Sequence, residues 1–151
     1  MNVSEIVSII SSLAVLVAVI QLVRETKSQN LSAFFYLHEY LSREELSYAR
    51  LIVRKHLYKK PYDKWTAEDK EYANKVCSSY DQAGLLMSSN AINKKLSQEF
   101  LDSSWGQSVI DQFEALLPYL DDLQTPNQTG KQFFKHFCWL YSKAKTIRNG
   151  E

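Results

Sequence analysis

The sequence predicts an all-α chain, with one N-terminal transmembrane helix followed by a cytoplasmic helical bundle. Three observations carry that prediction. Residues 6–23 form an 18-residue run without a charged side chain. Beyond it, apolar residues recur three and four positions apart, with no competing two-residue alternation. Four Gly and three Pro in 151 residues are too few for a many-turned β fold.

The run IVSIISSLAVLVAVIQLV would extend about 27 Å as a helix at ~1.5 Å per residue, close to the ~30 Å hydrocarbon core of a bilayer. A core helix of a globular protein would carry a polar stripe, whereas this run offers only small hydroxyls and Gln21. A cleaved leader would want a basic start and a small-x-small cleavage site. Glu5 is the only charged side chain before the run, which ends in Gln21, Leu22, Val23 and Arg24, so an anchor fits better. Arg24 and Lys27 follow the run and no Lys or Arg precedes it. The positive-inside rule then sets the N-terminus outside and the rest of the chain in the cytoplasm of an inner-membrane, single-pass protein. The division is residues 1–28 as anchor and juxtamembrane turn, and 29–151 as the cytoplasmic helical domain. Ser4, Ser8 and Ser12 recur every four residues, a spacing that lets membrane helices approach, and Gln21 offers a hydrogen bond across such a pair. Homo-oligomerisation through this face is expected.

The remaining chain reads as one domain. It is 45% apolar and 23% charged over the whole sequence, which is globular composition. A net charge of +1 carries no global sign of nucleic-acid binding. Cys77 and Cys138 fit neither a zinc spacing nor a disulfide framework and are read as reduced, buried thiols. Leu31, Phe34, Phe35, His38 and Leu41 mark a first amphipathic stretch. Ser42 to Glu45 reads as a capping box, opening a helix from Arg43 to about Tyr58 with Leu46, Ala49, Val53, His56 and Leu57 inward. Thr66 to Asp69 is a second such box, opening a helix with Tyr72, Val76, Tyr80, Ala83 and Met87 on one face and Asn90 at its end. Leu96, Phe100, Leu101 and Trp105 face the core from the next stretch, in which Gly106 either breaks the helix or admits another backbone. Val109, Ile110, Phe113, Leu116 and Leu117 continue up to Pro118. Residues 124–130 read as a loop, and Phe133, Phe137, Leu140, Tyr141, Ala144 and Ile147 as the face of a last helix.

The order of these motifs resembles a family of small bacterial membrane-anchored helical proteins, DUF4760. The resemblance rests on LSAFFY at 31–36, YARLIV at 48–53, YDQAGLLMSSNAI at 80–92 and LLPYL at 116–120, with Phe113 where the family pattern has Trp. It implies an anchored helical bundle and supplies no activity. The segment from Arg50 to His56 is also similar to the signature of HEPN-type ribonucleases, in which Arg and His of two such helices meet across a dimer without metal. Leu51 stands where that signature has a polar residue, and the segment lies on an early helix. Imidazole as proton carrier and guanidinium as phosphorane clamp would suit RNA cleavage. The plainer reading makes Arg50 a surface or ion-pairing residue and packs His56 beside Leu57. In layout the chain is further similar to a membrane accessory protein of RNA-targeting CRISPR systems.

Arg54, Lys55, Lys59, Lys60 and Lys64, with Trp65 among them, form a basic and aromatic patch suited to anionic lipid headgroups, to RNA, or simply to solvent. Lys131, Lys135, Lys143, Lys145 and Arg148 repeat the theme near the C-terminus, around an acidic middle. His136 and Cys138 lie two positions apart on one helix, on different faces, and no metal site or cofactor is expected. The first functional reading is a non-enzymatic, self-associating interaction or assembly protein on a bacterial membrane, with lipid and a protein partner as its contacts. The second is a HEPN-like RNA-directed effector of a defence system using Arg50 and His56. The third is a membrane pore that packs through the serine face.

Overall fold

A computed structural model describes the backbone of residues 3–125 and 128–150 and the side chains of residues 14–123 and 129–150. The described fold is all-α apart from one two-residue antiparallel bridge. Helix α1 (Val3–Leu41) runs unbroken for 39 residues, about 58 Å. No Gly or Pro interrupts it. Through its polar middle, Thr26 and Asn30 each donate a side-chain hydrogen bond to the carbonyl four residues back. Every side chain from 14 to 29 is exposed, so this half of α1 projects from the body without a protein neighbour. Among the described residues no helix is long and apolar enough to cross a membrane. The first eight positions of the uncharged run lie outside the described side chains, as do Ser4, Ser8 and Ser12.

The body begins where α1 meets the other helices: α2 (Glu44–Lys55), single 3-10 turns at Leu57–Lys59 and Tyr62–Lys64, α3 (Ala67–Ser88), α4 (Lys94–Asp102), α5 (Ser104–Asp122), the strands β1 (Gln124–Thr125) and β2 (Gln128–Thr129), the single turn α6 (Gly130–Phe133) and α7 (Lys135–Asn149). Helix α3 is the centre, packed against α7, α2 and α5. Its buried face combines the expected Val76, Tyr80, Ala83 and Met87 with Ala73, Cys77 and Gly84. Tyr80 is fully buried, stacks on Phe137 at 5.3 Å and shares a 2.8 Å hydrogen bond with Ser108. The predicted capping box at the start of α3 is present: Asp69 N–H donates to the Thr66 hydroxyl, and Thr66 N–H to the Asp69 carboxylate.

Several sequence expectations change at helix ends. Ser42 does not cap α2, because its N–H still bonds His38 O in the last turn of α1. Arg43 holds the cap position without a side-chain bond, and Glu44 and Glu45 supply the negative charge that favours a helix start. Helix α2 stops at Lys55, earlier than Tyr58. Leu37, not Phe35, faces the core: with Leu41 it forms the buried stripe, while Phe35 is 62% exposed. Helix α5 passes through Pro118 because Tyr119 and Leu120, just beyond, are buried. The non-helical backbone at Phe134 separates α6 from α7 and turns Phe134 inward, leaving Phe133 exposed.

Two glycines mark where backbones meet. Of the two roles the sequence allows Gly106, the structure supports the second: the break falls at Ser103, Gly106 lies in the first turn of α5, and a Cβ there would fall on Leu101 O. A Cβ on Gly84 would lie 2.1 Å from His136 O and 2.6 Å from its carbonyl carbon, so α3 and α7 pack at a distance only glycine permits. Gly84→Ala should therefore separate the two helices and cost about 1–3 kcal/mol or more, read as a lower urea midpoint. An unchanged midpoint would mean that the α3–α7 contact tolerates a methyl group.

Candidate functional site

The buried face of α2 consists of Leu46, Ala49, Arg50 and Val53, an apolar stripe interrupted by one cation. Arg50 is only 9% exposed. Its Nη2 donates to Leu41 O, the last residue of α1, and to Ser47 Oγ at 3.1 Å. The guanidinium lies 5.0 Å from the ring centre of Trp105. Gln112 of α5 donates from Nε2 to the Arg50 carbonyl at 3.0 Å. No carboxylate pairs with Arg50 among the described residues. Its counter-charge is instead the negative end of α1, whose terminal carbonyls lack helical partners, together with the π face of Trp105. Burial pushes the Arg50 pKa down, yet a guanidinium starts so high that it stays charged.

The junction is completed by aromatic packing. His38 of α1 sits edge-on to Phe34, Phe100 and Trp105, at 4.7, 5.7 and 6.2 Å, and Phe100 stacks on Trp105 at 5.6 Å. Two polar atoms remain without partners in this region, Arg50 Nη1 and Gln112 Oε1. Close by in the chain's charge field, burial pushes the Tyr80 phenol up to about 12, while Arg50 pulls it down.

The remaining predicted residues disperse. His56 is exposed at the C-cap of α2, not inward beside Leu57, because the helix ends one residue before it. Six helical positions also turn it roughly 120° from Arg50. Arg50 and His56 are therefore not brought together within one protomer. In the basic and aromatic patch, Trp65 is buried, donates from Nε1 to Lys60 O at 3.1 Å and packs edge-on to Tyr62. Lys60 is bound to Asp69 at the start of α3. These two residues serve the fold, whereas Arg54, Lys55, Lys59 and Lys64 are exposed. Gln21 is exposed on the projecting part of α1. Cys77 is a buried free thiol, but Cys138 is only half-buried, its Sγ 3.5 Å from Lys131 O; burial raises the pKa of both. Among the described residues no group of three or more His, Cys, Asp or Glu is arranged to hold a metal ion.

Sequence reasoning missed Gln112, Leu37 and Asp81. The Asp81 carboxylate accepts the backbone N–H groups of His136 and Phe137, at 2.9 and 3.0 Å, and so caps α7 from another helix. No local spacing signals a cap whose recipient lies 55 residues away.

Replacing Arg50 by Met tests the junction energetically. The change removes a charge-assisted bond worth about 1.5–3 kcal/mol and strands a buried carbonyl, and it relieves an unpaired amino group whose burial costs about 1–3 kcal/mol. The Trp105 contact adds up to ~2 kcal/mol to the loss. A net loss near 2 kcal/mol is expected, seen as a fall of roughly 4–8 °C in the melting temperature. An unchanged or higher melting temperature would show that the orphaned group costs as much as the contacts return.

No curated protein and no solved structure matches the chain. One family model does, over residues 8–144, and its span takes in α1 from residue 8 onward, the Arg50 junction and the first two thirds of α7. The chain belongs to that family, described as a domain of unknown function (DUF4760).

Proposed function

We propose that the protein is a membrane-tethered helical module acting in interaction or assembly at the cytoplasmic face of a bacterial membrane. In this reading the first part of α1 spans the bilayer, its N-terminus lies outside, and residues 29–151 lie in the cytoplasm. One observation carries the reading. Val15, Leu16, Val17, Val19, Ile20, Leu22 and Val23 are each 45–65% exposed, within a stretch of α1 from 14 to 29 in which every side chain is exposed. Fully burying one such side chain is worth about 1.5–3 kcal/mol, so seven of them demand an apolar surrounding that the body does not provide. A helix satisfies its own backbone and suits a bilayer, and the exposed Arg24 and Lys27 follow the apolar run. The exposed Arg54, Lys55, Lys59 and Lys64 suit anionic headgroups or an acidic protein partner. Self-association through Ser4, Ser8, Ser12 and Gln21 belongs to the same proposal.

The second reading, a HEPN-like RNA-directed effector, has His56 and the neighbouring cations at the surface in its favour. The burial of Arg50 weighs against it, since a guanidinium bound to Leu41 O beneath Trp105 is not free to meet a phosphate.

Fractionation of cells expressing the chain tests the tether. The full chain should stay in the membrane pellet through high salt and alkaline carbonate and leave it only with detergent, whereas the chain lacking residues 1–28 should be found in the soluble fraction. Full-length protein released by salt alone would contradict a spanning helix and leave at most a surface association.

A further inference from the structure

Helices α3, α4 and α7 leave between them a groove of about 490 Å³, within the size range of ligand sites. Met87, Leu101, Trp139 and Ile147 give it an apolar side, beside polar groups such as Ser97, Gln98 and Thr146. Its rim carries two lysines on opposite helices, Lys94 at the first turn of α4 and Lys143 on α7. Neither has a carboxylate partner among the described ion pairs. The Lys143 ammonium hangs 6.0 Å over the Trp139 ring. The single acid on the rim, Asp102, faces the Gln98 amide of its own helix. The positive end of α4 adds to the field at the Lys94 side. An apolar trough closed by two unpaired cations selects a ligand with one apolar chain and one negative head.

We propose that this groove binds a single-chain fatty carboxylate, its chain along Leu101 and Trp139 and its head between Lys94 and Lys143. A neutral chain would forgo the lysines, and a cationic amphiphile would be repelled by them. The site also touches the α1 seat through α4: Leu101 lines the groove while its neighbour Phe100 packs on His38 and Trp105. The inference does not depend on α1 spanning a bilayer.

The test titrates the full chain, held in uncharged maltoside micelles, with 12-bromododecanoate while tryptophan emission is recorded, since bromine quenches a ring that it touches. Saturable quenching is expected that disappears in Trp139→Phe, although Trp65 and Trp105 remain. Its midpoint should weaken at least ten-fold in the double variant Lys94→Glu with Lys143→Glu, whose side chains make no bond the fold needs. The trimethylammonium analogue should show no saturable phase. Quenching that rises linearly and equally for both head groups in all three proteins is partition into the micelle and overturns the proposal. So does saturable quenching that survives Trp139→Phe, which moves the site elsewhere, or that ignores head-group charge. Absence of any saturable phase would also overturn it and leave the groove to an acidic helix of a protein partner.

Discussion

The structure depends on one buried cation, Arg50, and on what neutralises it. A guanidinium taken out of water costs several kcal/mol unless opposite charge or hydrogen bonds replace its hydration. Here the replacement is the end of a helix: Nη2 meets the last carbonyl of α1, and the Trp105 ring faces the guanidinium. A 39-residue helix delivers its dipole where the body needs a negative charge, and the body delivers a cation where that helix has unsatisfied carbonyls. The same side chain therefore solves two problems, the buried charge and the open helix end. That economy explains why no acid is needed beside Arg50 and why the junction fixes the direction in which α1 leaves the bundle.

Around this point the other contacts line up as supports. Leu37 and Leu41 bury the inner stripe of α1, and His38 is held among Phe34, Phe100 and Trp105. Trp105 and Phe100 belong to the tight α4–α5 corner, which exists because Gly106 lets its backbone approach Leu101. Gln112 reaches from α5 to the Arg50 carbonyl. On the far side, Asp81 starts α7 and Gly84 lets it lie close to α3. Helix α4 thus presents Phe100 to the α1 seat and Leu101 to the lysine-rimmed groove.

Much of this fold is legible in the sequence, and the failures have a common cause. Periodicity identifies the α3 face through Val76, Tyr80, Ala83 and Met87, since side chains three and four apart must share a side. The Thr66–Asp69 box is legible because both partners of the cap lie within one turn. Ser42 misleads because the same local pattern is used up by the preceding helix. Phe35 misleads for a related reason: it is apolar but points off the body, and only the position of the bundle makes Leu37 the inner residue. The site was half visible. The sequence singles out Arg50 only by its spacing from His56 and otherwise reads it as a surface or ion-pairing residue. It is instead buried without an ion pair among the described residues, and its partners Leu41, Trp105 and Gln112 lie up to 62 residues away, so that their meeting is a property of packing alone. The pairing of Arg50 with His56 follows sequence spacing, and the end of α2 at Lys55 undoes it.

The central claim is that Arg50 locks the end of α1 to the bundle so that the two move as one body. Pulsed dipolar spectroscopy between spin labels at Ser28→Cys on α1 and Lys135→Cys on α7, in a chain with Cys138→Ser, measures this directly. With Arg50 holding the junction, the distance distribution is narrow in that background and clearly broadened when Arg50→Met is added. Equal widths with and without Arg50 would contradict it, and would show that Leu37 and Leu41 alone seat the helix.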